Sequence, residues 1–172
     1  LVNSLELDSS EYNSYYQTYI SAIGDVDLLV NLKDGLDSFA KFIDTIPDEK
    51  LSYAYREGKW SVAEVILHLI DTERIFQYRA LRFARNDNTP VPGFDQDFYV
   101  PNSRANLRSK KSIISEYKSV RKASITLFES FDEESLKNLG TASGSNMSVR
   151  ALGFVICGHL KHHKSIIEER YL

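Results

Sequence analysis

Apolar residues recur at three- and four-residue steps through most of the chain, and that period predicts helices. From about Asp25 to Ile46, the residues Leu29, Leu32, Leu36, Phe39, Ala40 and Ile43 fall on one face, Gly35 weakens the helix slightly, and Pro47 stops it. Ser61-Val62-Ala63-Glu64 has the form of a capping box opening a second helix that continues to about Arg85. A third long helix is expected from about Arg104 to Ser130, with Asp132-Glu133-Glu134 beginning a short helical turn after it. Ser148 can cap a last helix ending near Tyr171. Residues 8–22 are polar and Tyr-rich, with an apolar spacing that suits a short N-terminal accessory helix lying across the others.

Two stretches break the pattern. Asn86 to Asn102 contains Pro90, Pro92, Gly93 and Pro101, which predicts a long loop without regular structure, and loops of that length often carry function. Gly140 to Asn146 interrupts the chain again. Four helices of about 20 residues, each about 30 Å long, make an all-α four-helix bundle. The expected organisation is a single helical domain over residues 1–172, with 1–22 as an accessory segment.

Composition supports that picture and narrows the function. Hydrophobic residues make up 42% of the chain and Pro is scarce, so there is enough apolar side chain for a core. A formal charge of -3, with both signs mixed along the sequence, provides no broad positive field for a phosphate backbone, and nucleic acid is not an expected partner. The single Cys157 excludes an intrachain disulfide and a thiolate zinc cluster. The start, LVNSLELDSSEY, lacks the basic and apolar runs of a signal peptide, and no segment has the ~18 apolar residues of a membrane span. The expected setting is the cytoplasm, with no membrane partner.

The chemistry concentrates in the histidines. Three of the four lie within Gly158-His159-Leu160-Lys161-His162-His163 of the last helix. Taking Leu152 as zero and about 100° per residue, His159 falls at about -20°, His163 at about +20° and His162 at about -80°. His159 and His163 therefore share the middle of the inward face, one turn apart, where two imidazoles can converge on one ion. Pairing His159 with His162 is possible but less central. The fourth, His68, belongs to a polar seam of Glu64, His68, Thr72 and Arg79 on the second long helix. Buried polar groups need partners, and a metal shared with the facing imidazoles would supply one; the plainer role of a buried His is a hydrogen-bonded core residue. Three His ligands with open positions would match a catalytic site better than a closed structural one.

Other side chains carry two readings each. Glu64, one turn before His68, could move a proton or act only in the capping box. Arg79 and Arg121 could bind a substrate carboxylate or serve in interior ion pairs. Asp71 and Glu73 point away from His68 or lie at the margin of its face. The loop around Phe94, Asp95, Asp97 and Tyr99 could close over the site or merely cross the surface. Cys157, at about 140° on the wheel, reads as packing, and Trp60 as an anchor at its helix start.

Trp60-Ser61 followed by Glu64, His68, Asp71 and Glu73, then the late Gly158-His159-Leu160-Lys161-His162-His163, resembles the DinB/YfiT superfamily. The likeness extends over the Pro92 to Asp97 loop and over Glu116 to Arg121. It implies a four-helix bundle with up-down-down-up connectivity, whose long crossover falls in the 86–102 loop, and a divalent metal held by His68, His159 and His163. Zinc or nickel are the metals expected. The activities the resemblance implies are thiol transfer, of the bacillithiol S-transferase kind, or metal-dependent hydrolysis, acting on a small-molecule substrate with a low-molecular-weight thiol as partner. Glu64 and Arg121 are the candidates for catalytic roles. A homodimer is plausible on the same grounds. The alternative is a noncatalytic metal-binding or stress-response module of helical-bundle type.

Overall fold

Each long helix begins at a side-chain cap. In the computed structural model, which describes residues 2–172, Asp27 caps α2 (Leu28–Thr45), Ser61 caps α3 (Val62–Ala84), Ser109 caps α5 (Lys110–Glu129) and Ser148 caps α7 (Val149–Arg170). Leu1, the first residue of the expected accessory segment, lies outside the described residues. The Ser61–Glu64 capping box is formed in both directions, with Ser61 N donating to Glu64 Oε2 at 2.7 Å and Glu64 N donating to Ser61 Oγ at 3.2 Å.

The helices pack as a bundle: α2 lies against α5, and α3 lies against both α5 and α7. Two groups of buried side chains fill it. One, around Phe83, Phe128 and Phe154, lies where α3, α5 and α7 meet α1 (Gln17–Ile23); the other, around Phe39, Ile66 and Tyr117, joins α2, α3 and α5. No helix among the described residues is long and apolar enough to cross a membrane.

Local chemistry moved several expected boundaries. Helical structure near the N-terminus is confined to α1; the polar residues before it form 3-10 turns at Ser4–Glu6, Ser9–Glu11 and Ser14–Tyr16, because Asn3, Asp8 and Asn13 each bond the chain two residues ahead and restart it. The third long helix begins at Lys110 rather than near Arg104, which sits in a left-handed conformation at φ 52°. The 86–102 stretch is partly regular: Asp95 accepts hydrogen bonds from Asp97 N and Phe98 N and starts α4 (Gln96–Asn102), with Pro101 in its last turn. After α6 (Glu133–Lys137), the Gly-rich break is a hairpin of β1 (Leu139–Ala142) and β2 (Ser145–Ser148).

That hairpin turns on Ser143 and Gly144, both at positive φ (51° and 77°), the two-residue geometry that matches strand twist. The crossover loop is fastened to it through Val91 N to Thr141 O at 2.9 Å and Ser143 N to Val91 O at 3.1 Å. Crossover and hairpin tip are thereby brought to the same end of α3.

Candidate metal centre

His68 faces α7 from the first half of α3, and His159 and His163 answer it from successive turns of α7. His68 Nε2 lies 3.0 Å from His159 Nε2, and one nitrogen from each of the three imidazoles falls within 4.8 Å of the others. His68 and His159 are buried, and His163 is half-buried. The wheel reading also separates His162 correctly: it is exposed, with its ring against Tyr19.

The donor set suits a divalent cation. Burial pushes the pKa of His68 down to about 4 and that of His163 to about 3, and burial together with the neighbouring imidazoles holds His159 well below its ordinary range. All three are therefore neutral at neutral pH, with a lone pair each. Thr72 Oγ1, 3.4 Å from His68 Nδ1, can accept that proton and leave the Nε2 lone pair aimed at the other rings. His163 Nδ1 is buried and has no hydrogen-bond partner. His68 and His159 can satisfy one another with a single hydrogen bond at 3.0 Å, whereas His163 Nδ1 is left without a partner, and a cation held among the three rings would engage one nitrogen of each.

The triad borders a cavity of about 240 Å³ that runs along α3. Tyr16 and Tyr19 cover it from the N-terminal segment, and Phe94, Gln96 and Ser143 close its far end. Gly158 is what lets the cover approach: a Cβ there would fall on the carbonyl oxygen of Tyr19. His163 also borders a second hollow of about 280 Å³, beside Lys59, Trp60 and Arg170. Two separate spaces thus meet at one imidazole.

The other expected participants are distributed unevenly. Glu64 spends its carboxylate on Ser61 N and on Asn106 Nδ2, at 3.3 Å, and so acts in the helix cap rather than beside the imidazoles. Arg121 is fully buried on the far side of α3, where Nε and Nη2 donate to Glu73 at 2.8 and 2.9 Å, and it does not reach the cavity. Asp71 pairs loosely with Arg74, and burial pushes the Cys157 thiol up to about 12, which keeps it protonated and inert. The Trp60 ring lies 5.0 Å from that of His68, tilted by 48°. Of the loop residues, Phe94 reaches the cavity and Asp97 the second hollow. The tyrosine cover and Ser143 were not anticipated; the close spacing of Tyr15, Tyr16 and Tyr19, opposite a glycine beside the histidine pair, was the available signal.

The family model for the DinB superfamily matches residues 31–167. The chain belongs to that superfamily. A Bacillus subtilis structure, YfiT, described as a probable metal-dependent hydrolase with an unusual four-helix bundle topology, shares the superfamily fold: the TM-score is 0.73 at 15% identity, covering 95% of this chain and 90% of that one. The mycothiol-dependent maleylpyruvate isomerase superposes with a TM-score of 0.67 at 10% identity, over 81% of this chain and 60% of the isomerase. A curated protein of Oceanobacillus iheyensis, provisionally named a metal-dependent hydrolase, is 35% identical over 72 residues, which is 41% of each chain. The superfamily assignment carries the helical-bundle fold and agrees with the imidazole cluster found at its centre.

Proposed function

We propose that the protein is a metal-dependent enzyme that joins a low-molecular-weight thiol to a small electrophilic substrate, with His68, His159 and His163 holding the metal. The observation that carries this reading is the convergence of three neutral imidazoles, one with an unpartnered nitrogen, at the junction of two hollows. Zinc or nickel suit an all-imidazole donor set. A divalent ion lowers the pKa of a thiol or water bound to it and supplies a nucleophile near neutral pH.

The chain's own residues do the rest. Thr72 can hold His68 in the tautomer that presents Nε2 to the other rings, and the tyrosine cover narrows access for water. Hydrolysis needs room for one organic ligand and a water, whereas transfer needs room for two organic ligands. The second hollow at His163 favours transfer, and the likeness in fold to a mycothiol-dependent isomerase is compatible with it. In this reading residues 1–172 act as one helical domain with up-down-down-up connectivity, and residues 1–22 serve as its cover.

Elemental analysis of protein purified without an affinity tag tests the ligand set. About one zinc or nickel per chain is expected in the wild type, with loss in His68→Ala, His159→Ala and His163→Ala and retention in His162→Ala. Full metal in any one of the three former variants removes that residue from the set. Consumption of small thiols by an electrophile, assayed with the zinc- and nickel-loaded protein, then tests the reaction; cleavage of esters without thiol consumption would make it a hydrolase.

A further inference from the structure

Arg79 is a buried cation that the protein itself does not neutralise. It is 1% exposed, yet its partners are neutral oxygens: Nη2 donates to Pro92 O at 3.2 Å and to Ser143 Oγ at 3.1 Å, the Tyr16 hydroxyl is also within its reach, and Nε has no partner. Among the described residues, no Asp or Glu lines the cavity that Arg79 shares with the histidines. An uncompensated guanidinium in such a place is costly, and its retention calls for an anion from outside the chain.

The surroundings fix how that anion would be met. The guanidinium carbon sits 5.7 Å from the centroid of Phe76 and 6.0 Å from that of Phe94, so aromatic rings flank the group while its Nε remains free to donate. Ser143 reaches it from a left-handed backbone position at the hairpin tip, and the crossover supplies the Pro92 carbonyl. Arg79 and His68 are eleven residues apart on one helix, which places them on the same face with about 16 Å of rise between their Cα atoms. Helical side chains lean toward the N-terminus, so the arginine leans toward the histidines. A cavity of about 240 Å³ lies below the range of drug-sized ligand sites and has apolar walls at Phe76 and Val155.

We propose that Arg79 is a specificity-determining residue that receives the carboxylate of a small substrate, whose other end lies toward the histidine triad. The planar fork of arginine matches a carboxylate, and a single guanidinium, with no second cation lining the cavity among the described residues, balances one negative charge rather than the two of a phosphate. This assignment rests on the proposed function for the identity of the reacting end, but the anion subsite itself needs no metal.

The test is therefore made first on metal-free protein at pH 7.5, by calorimetric titration with benzoate, with its neutral isostere benzamide and with inorganic phosphate. Wild type is expected to bind benzoate at least ten-fold more tightly than benzamide, and more tightly than phosphate. Arg79→Met should abolish the preference, and Arg79→Lys should restore only part of it, while the metal content of both reloaded variants stays at the wild-type level. No preference for benzoate in wild type, or an undiminished preference in Arg79→Met, overturns the proposal; tighter binding of phosphate overturns the carboxylate class. Should Arg79→Met fail to fold, by circular dichroism, the wild-type comparison and Arg79→Lys decide the matter, a full preference in the lysine variant counting against the planar fork. Loss of metal in the histidine variants with the benzoate preference intact would leave both readings standing, whereas metal retained in those variants would remove the metal site and spare the anion site.

Discussion

Helix α3 carries two polar groups of residues into the bundle, and they are satisfied in opposite ways. On the side facing α5, Glu73 accepts Arg121 Nε and Nη2 and also Ser124 Oγ, at 2.6 Å, so that carboxylate and guanidinium fill each other's needs in a fully buried place. Gly35 on α2 leaves the space the guanidinium occupies, and Tyr117 closes the cluster by donating to Gly35 O at 2.6 Å. On the side facing α7 and the tyrosine cover, His68, His159, His163 and Arg79 surround open space, and His163 Nδ1 and Arg79 Nε have no hydrogen-bond partner. Polar residues buried to hold a fold complete one another; those buried to hold a ligand are completed by it. On α3 the first kind is complete toward α5, and the second is the kind proposed for the side facing α7.

The sharpest way to break that contrast is to remove one member from each side. Glu73→Ala leaves Arg121 charged and unpaired in the interior, and a loss of about 3–5 kcal/mol is expected. Arg79→Met removes a cation that has no counter-ion, and should cost less than about 1 kcal/mol or stabilise the protein. Urea denaturation of the two metal-free variants measures both. Equal losses would mean that Arg79 is as structural as Arg121, and the distinction between the two sides would fall.

That distinction was not legible in the sequence, although much else was. The four long helices follow from apolar spacing, with Ser61 and Ser148 legible as caps and Asp27 and Ser109 not, and the separation of His159 and His163 from His162 follows from turn geometry alone. Arg79 and Arg121, by contrast, look alike along the chain, because each falls on an inward helical face. What separates them is a carboxylate 48 residues away that meets one and not the other. The hairpin was missed for a related reason: Ser143-Gly144 reads as a break until the flanking Leu139–Ala142 and Ser145–Ser148 are seen to pair across it. Short elements such as α4 depend on a single cap, Asp95, amid residues that otherwise favour a loop.

A second variant acts on the open side alone. Gly158→Ala would place a methyl group against the Tyr19 carbonyl, and α1 must move away from α7 to admit it. Overpacking of this kind costs about 1–3 kcal/mol. The displaced cover should widen the histidine cavity, speed hydrogen exchange in residues 17–23 and weaken benzoate binding, while the Glu73–Arg121 side keeps its protection. Uniform loss of protection across α3, α5 and α7 would show instead that cover and core unfold together.

The smallest effect expected comes from acid, through the anchor that holds the cover from its N-terminal side. Arg150 of α7 donates to both carboxylate oxygens of Glu11, at 2.8 and 2.6 Å, and to Glu6 O at 3.0 Å, with the Glu6 carboxylate 3.7 Å away. Burial raises the Glu11 pKa, but the hydrogen bonds from Arg150 and from Asp8 N outweigh it and hold the carboxyl below its ordinary value of 4.5. A carboxyl depressed by folding adds stability that is present above its unfolded pKa and is lost as pH falls through its folded pKa. Docking of residues 2–23 should therefore be constant above about pH 5 and weaken below about pH 4, read as faster hydrogen exchange in that segment. Glu11→Gln should show fast exchange already at neutral pH and a flatter acid dependence, Glu6 being left as the remaining acid beside Arg150. An unchanged acid profile in Glu11→Gln would move the anchor elsewhere and leave the cover's attachment to Gly158 and its neighbours on α7.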